Sequence, residues 1–417
     1  MSPGILRAPL RGAVVVSLLF VLACPQPPRE EPATEPAAEE LPAQEVTRPE
    51  KALRPCSFAT LPPLLDDGDW ESLRQAIVES RRWLAGQPEE ERFVFGPRVV
   101  TARQMLDGCD RLLEWLEADP TPESFAARVV YGFDVLERVG PSGGEMLITG
   151  YYEPVIAGSR RHTAEYRVPV YGLPRDLIKV SLGDFSEQYR GVHLIGRLRG
   201  QRLVPYPSRR EIRESGVGRG KVIAWARDRV DLFFVEVQGS GALRLPNGRE
   251  LRIGYAGSNG RPYRSIGRLL IDQGKIEREK ISMQSIREYL ARHPEEVTAV
   301  LDYNESVVFF RKLSGPPVGS LGVPVTPRRS IATDHRLFPR GALGFLVSEI
   351  PAMGDDGRTV AAGPLTRFVL NQDRGGAIRG TDRADFFWGR GEEAATRAGL
   401  MKQPGRLFFF APKPVRY

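Results

Sequence analysis

TRFVLNQDRGGAIRGTDRADFFWG, residues Thr366 to Gly389, sets two short apolar runs, TRFVLNQD and DFFWG, on either side of a glycine-rich turn. Runs of the same kind surround it: RRSIATD from Arg328, ALGFLVSEI from Ala342 and RLFFFAP from Arg406. Strands this short and closely spaced, rich in β-branched and aromatic residues and parted by glycine-containing turns, predict a small closed barrel from about Pro324 onward.

Upstream, the turn Pro141-Ser142-Gly143-Gly144 marks a change of period. After it MLITGYYEPVIAG, VIAWARD and VDLFFVEVQGSG read as further strands. A helical hairpin interrupts them, YRSIGRLLIDQG followed by SMQSIREYLARH, with another helix through EEVTAVLD. From about Asp69 to Val139 helical spacing dominates, as in WESLRQAIVESRRWL and MLDGCDRLLEWLEA, so Trp70, Trp83 and Trp115 are expected in the core. The expected class is mainly β with helices, α+β, and 417 residues favour two domains.

The N-terminus has a different character. Met1 to Arg11 carries two arginines and no acid, and Gly12 to Ala23 is an apolar run of signal-peptide length, too short for a comfortable membrane span. It ends in Val21-Leu22-Ala23-Cys24, which resembles a bacterial lipobox and marks residues 1–23 as a signal peptide and Cys24 as the lipidated residue. The alternative is an ordinary signal peptide with a chance cysteine. Residues 24–60 are then the lipidated cysteine and a Pro/Glu/Ala-rich tether, since a stretch so poor in aromatic and β-branched residues cannot repay its ordering entropy. Pro25 stands where an aspartate commonly retains lipoproteins at the inner membrane, which favours the outer membrane, facing the periplasm. With Cys24 assigned, Cys56 and Cys109 remain as a disulfide or as two free thiols.

The charge of +7, from 59 basic and 52 acidic residues, suits an anionic surface. No recognition helix, zinc pattern or stacking platform accompanies it, so nucleic acid is not an expected partner. Four histidines and three cysteines without H-x-x-x-H or C-x-x-C spacing disfavour a metal. Gly239-Ser240-Gly241 lacks the nucleophile-elbow spacing, and GYAGSNG from Gly254 lacks both the Walker lysine and the dinucleotide fingerprint. Carboxylate chemistry remains, and Asp373, Asp382 and Asp385 are the densest candidates. If Ala384 to Trp388 is a strand, Asp385 and Phe387 share a face and the ring shields the acid from water. From composition alone, an aspartate beside glycine turns is more often a turn or capping residue.

Several separated motifs together change that balance. They are Thr149-Gly150-Tyr151-Tyr152-Glu153-Pro154, Val237-Gln238-Gly239-Ser240-Gly241, Tyr255-Ala256-Gly257, Tyr263-Arg264-Ser265-Ile266-Gly267 and Ser282-Met283-Gln284-Ser285-Ile286. Asp373-Arg374-Gly375-Gly376-Ala377-Ile378-Arg379-Gly380, with Asp385 after it, completes a series running from about Leu147 to the C-terminus. In this order they resemble the membrane-bound lytic murein transglycosylase A family.

The resemblance implies a double-psi β-barrel built from residues 61–153, with its N-terminal helices, and 316–417. A second β-barrel, 154–315, is inserted, and a glycan groove lies between the two. It implies Asp385 as the catalytic acid/base, Asp373 as a supporting acid and no clear counterpart for Asp382, which is expected to be exposed. Gln238, Ser240, Tyr263 and Arg264 are implied glycan contacts. Tyr151 and Tyr152 either stack on sugars or belong to the core. The implied reaction cleaves peptidoglycan glycan strands without a cofactor, giving a 1,6-anhydromuramyl end, with wall-synthesis or division proteins as further partners. Glu153 departs from the family pattern and is a second carboxylate that leans toward two-acid hydrolysis. A hydrolytic glycosidase and a non-catalytic wall-binding lipoprotein are the rival readings.

Overall fold

Asp69 begins the first long helix by accepting the Ser72 amide, a cap that satisfies one of the donors a helix start leaves unpaired. This helix, α1 (Trp70–Leu84), is followed by α2 (Ala102–Glu117), opened by a Thr101–Gln104 capping box, and α3 (Pro122–Gly132). Their apolar faces share one core with the strands that follow, where Phe125 meets Phe368 edge-on at 5.2 Å. The computed structural model describes residues 48–414 apart from 58, 141–143, 191, 316, 355–358 and 376–377. The signal peptide, Cys24 and the tether up to residue 47 lie outside the described residues.

Two strand systems follow. In chain order the strands are β1 (Met146–Glu153), β2 (Val155–Ser159), β3 (Val168–Tyr171), β4 (Val222–Ala226), β5 (Ser240–Arg244), β6 (Glu250–Ser258) and β7 (Val308–Leu313). They continue with β8 (Ser330–Ala332), β9 (Leu343–Met353), β10 (Thr359–Asp373), β11 (Arg383–Arg390) and β12 (Lys402–Pro412). The first system runs β12-β9-β10-β8-β11-β1, and a further pairing of β1 with β12 closes it into a barrel of six strands. Closure leaves none of the six with an unpaired edge. The expected closed barrel and the α+β class are therefore borne out. The second system is a six-stranded sheet, β7-β6-β5-β2-β4-β3, whose edges meet at a bridge between Gly172 and Phe310. A three-stranded sheet, Ile178–Ser181, His193–Arg199 and Arg202–Pro205, stands beside them.

Three differences from the sequence reading have physical causes. VDLFFVEVQ is a helix, α4 (Arg229–Gln238), not a strand: a short continuous apolar run carries no period, and Asp228 as N-cap with left-handed Gly239 as C-cap decides it. Phe133–Arg138, inside the stretch read as helical, is a strand added to the outer side of β12. The fold also starts within the stretch read as tether, because Leu53–Pro55 pairs with that strand and Ala52 and Leu53 are buried. Helices α5 (Ile266–Asp272), α6 (Met283–Arg292) and α7 (Val297–Tyr303) follow the expected pattern. Helix α8 (Glu392–Leu400), between β11 and β12, was not foreseen.

Cys56 and Cys109 are free thiols, which resolves the open alternative. Burial pushes the Cys109 thiol up to about 12, whereas Cys56 is only partly covered. Because the thiolate is the reactive form, Cys56 is expected to react with a thiol reagent in the native protein and Cys109 only on unfolding. Counting labelled cysteines by mass before and after denaturant checks this.

Candidate active site

The barrel wall brings the motif residues together by register. Ala332 on β8 pairs with Asp373 of β10 on one side and Asp385 of β11 on the other. Asp385 in turn pairs with Thr149 of β1, and Thr149 with Lys402 of β12. Residues opposite one another across a sheet share a face, so one belt of the barrel carries two carboxylates, a hydroxyl and an ammonium. One step along, Phe387 pairs with Tyr151, and their rings lie 4.9 Å apart. Phe387 thus covers Tyr151, while the groups touching Asp385 are polar.

Arg383, two residues before Asp385 and so on the same face of β11, donates from Nε to Asp385 Oδ1 at 2.9 Å and from Nη2 to Oδ2 at 3.1 Å. Its Nε also reaches Thr149 Oγ1 at 3.1 Å, and Thr149 donates its hydroxyl proton to Asp385 Oδ1. The carboxylate is thereby fixed in direction while its side chain keeps 14% of its surface exposed. Gly375 comes close to it: a Cβ there would stand 2.7 Å from the Ile378 side chain and 3.7 Å from Asp385 Oδ2. A side chain there would have to displace Ile378 beside the carboxylate.

Asp373 accepts the Ser320 and Arg374 amides, each at 2.8 Å. Burial is the main cause raising its pKa; these amides and the Tyr151 hydroxyl pull it down, and Asp385 adds to the rise. The Tyr151 phenol is held well above its ordinary value, first by burial and then by Asp373. Its hydroxyl lacks a hydrogen bond of good geometry among the described residues, so the contact with Asp373 is electrostatic more than directional. Asp382 is half-exposed as expected, but it is also the 2.6 Å ion-pair partner of Arg138, whose side chain is fully buried.

The remaining sequence candidates divide. Tyr263 is exposed into a cleft of about 450 Å³, which is also lined by Phe233, Phe234, Val237, Arg383 and Lys402. Tyr152 is a core residue, 6% exposed, with its hydroxyl toward Met283 Sδ. Gln238, at the end of α4, accepts the Tyr152 amide through Oε1 at 3.2 Å, and Ser240 opens β5 opposite Gly254. Arg264 pairs with Glu305 at 3.0 Å and is not among the residues lining the cleft. Glu153 is 2% exposed, 3.4 Å from Arg390 and 4.0 Å from Arg252. Its pKa is raised, first by burial, against both arginines. Sequence reasoning passed over Arg383 and Thr149, although the two-residue period that joined Asp385 to Phe387 points to Arg383 as well.

His335 follows β8, next to Asp334. Burial, with Arg340 and Arg374 adding to it, lowers its pKa to about 4 from 6.5. Its Nε2 has no hydrogen-bond partner among the described residues. Between those values the unfolded chain binds the proton and the folded one does not. Stability is therefore full above pH 6.5 and falls as the pH drops toward 4, by roughly 3 kcal/mol for this group. Urea unfolding across that range should show a shallower loss for His335→Asn than for the parent; equal slopes would contradict this.

The closed barrel thus holds a directed, partly exposed carboxylate, Asp385, whose partner Arg383 lines an open cleft. Comparison with known proteins gives the class. Residues 147–311 match a family model described as the MltA specific insert domain, and residues 329–411 one described as a 3D domain. Membrane-bound lytic murein transglycosylase A of Escherichia coli K12 is 33% identical over 72% of this chain and 74% of its own length; that of Vibrio cholerae is 31% identical over 72% and 74%. The crystal structure of a membrane-bound lytic murein transglycosylase from Agrobacterium tumefaciens superposes with a TM-score of 0.71 at 32% identity, covering 87% of this chain and 98% of that one. E. coli MltA with bound chitohexaose gives 0.62 at 28% identity, over 82% and 90%. The chain belongs to the membrane-bound lytic murein transglycosylase A family.

Proposed function

We propose that the chain is a peptidoglycan lytic transglycosylase that cleaves the β-1,4 bond between N-acetylmuramic acid and N-acetylglucosamine, with Asp385 as its single acid/base. Asp385 gives a proton to the oxygen leaving C1 of the muramic acid. The resulting carboxylate then takes the proton of the same sugar's C6 hydroxyl as that oxygen attacks C1. One bond breaks and one forms within the product, so the new end is a 1,6-anhydro sugar and no water is consumed. Holding the C6 hydroxyl near C1 makes the attack intramolecular, which is the main advantage a groove can offer here.

The observation that carries this reading is the contrast between two carboxylates of one belt: Asp385 is held by Arg383, a residue of the cleft wall, while Asp373 is engaged by two backbone amides. Two-acid glycosidases hold their carboxyl groups roughly 5–5.5 Å or 6.5–9.5 Å apart. Glu153 lies four residues beyond Thr149, the partner of Asp385, along β1, about 13 Å away at strand spacing, and it is buried between arginines. Asp373 lies one strand beyond Ala332 with its carboxylate engaged by two amides, which suits orientation of Tyr151 and the turn more than activation of water. Arg383 and Thr149 set the direction of the Asp385 carboxylate, and Tyr263 is positioned to steady the sugar.

Residues 61–153, joined by the strand Leu53–Pro55, form the catalytic domain with 316–417, and 154–315 the inserted wall of the groove, a division supported by the separate closure of the two strand systems. Attachment is through lipidated Cys24 to the outer membrane, facing the periplasm. The relatives are named membrane-bound, and among the described residues no helix is long and apolar enough to cross a membrane. Mass spectrometry of fragments released from purified peptidoglycan tests the reaction: anhydromuramyl ends are expected, and reducing ends would mean hydrolysis.

A further inference from the structure

We propose that the cleft beside Asp385 is a binding site for the anionic stem peptide carried by muramic acid, so that peptide-bearing strands are the preferred substrate; this rests on the reading above. The cleft of about 450 Å³ is lined by four cations, Arg268, Arg278, Arg383 and Lys402, and by no aspartate or glutamate. Two of them have carboxylate partners, Arg383 in Asp385 and Arg268 in Asp272. Arg278 and Lys402 are exposed and form no ion pair among the described residues. Two uncompensated cations beside an acid/base residue call for a ligand with negative charge of its own.

The sugar rings of the glycan are neutral. Its negative charge sits on the lactyl group when the peptide is absent and on the peptide's free carboxylates when it is present. The volume is of the size that holds a small organic ligand and is far larger than one carboxylate needs. Between the cations the walls are apolar, with Phe234 and Val237 among them, and 42% of Val237 is exposed. Such walls suit the methyl groups of alanine-rich peptide, alongside the sugar that Tyr263 would steady.

The test compares cleavage of peptide-bearing strands with strands stripped of peptide by an amidase, which keep one lactyl carboxylate per muramic acid. Binding of free stem peptide to the full-length protein is measured alongside. The parent should prefer peptide-bearing strands and bind the peptide in a salt-sensitive way. In the variant Arg278→Glu, at a residue outside the belt that holds Asp385, the preference should fall several-fold, mainly through KM, with the rate on stripped strands kept. Equal rates on both strands with no peptide binding would overturn the proposal, as would an equal loss on both strands in the variant. If neither strand is cleaved, the activity reading has failed, and peptide binding alone then decides this one.

Discussion

Asp385→Asn is expected to remove glycan cleavage almost completely, by on the order of 10³-fold or more, while leaving the protein as stable as the parent. General acid–base catalysis is worth roughly 10²–10⁴-fold, and the proposed mechanism has one group serve both proton transfers, so the upper part of that range is expected. Asparagine keeps the volume and an acceptor for Thr149 and Arg383. The guanidinium it leaves without a counter-ion is 36% exposed, so water can take the carboxylate's place. Product release from peptidoglycan and a urea melt, run on the same preparation, check the two halves. A variant retaining a tenth of the activity would assign the proton transfer elsewhere. An inactive parent would favour the wall-binding reading.

Asp66→Ala is expected to act in the opposite manner, costing about 3–5 kcal/mol of stability without touching the chemistry. Asp66 and Arg329 form an ion pair in which both side chains are fully buried, at 2.6 Å from Nη1 and 2.9 Å from Nη2. Arg329 also donates to the Phe368 and Asp69 carbonyls and to Ser72 Oγ. Asp66 accepts the Phe368 and Gly68 amides as well. Removing Asp66 strands a buried cation and unpairs two amides. Arg329 immediately precedes β8, the short strand between Asp373 and Asp385, so the pair ties α1 to the wall that holds the site. Denaturant unfolding measures the loss; a change under 1 kcal/mol would show that the pair is dispensable.

Both results turn on residues the sequence treats unequally. Asp385, the proposed acid, was legible because its motif occurs in an ordered series, and its strand because DFFWG is a short aromatic run beside a glycine-rich turn. Arg383 was legible in principle through the two-residue period. Thr149 was not, since nothing local reveals that β1 lies parallel to β11 in the register that joins Thr149 to Asp385. The same holds for ring closure between β1 and β12, a pairing of distant segments set by tertiary packing. Helix α4 was misread because a continuous apolar run suits a buried strand and a buried helix equally, and only its caps separate them. Glu153, a departure from the family pattern that suggested a second catalytic acid, is a buried anchor between Arg252 and Arg390. A carboxylate's neighbours, which sequence does not list, decide between those roles.

In the proposed reaction the sugar's own C6 hydroxyl, and not water, attacks C1 while Asp385 moves the protons. Digesting peptidoglycan in water enriched in heavy oxygen, and weighing the released ends, tests it most directly. Anhydromuramyl ends with no isotope incorporated are expected; reducing ends that carry the heavy oxygen would mean that water attacks C1.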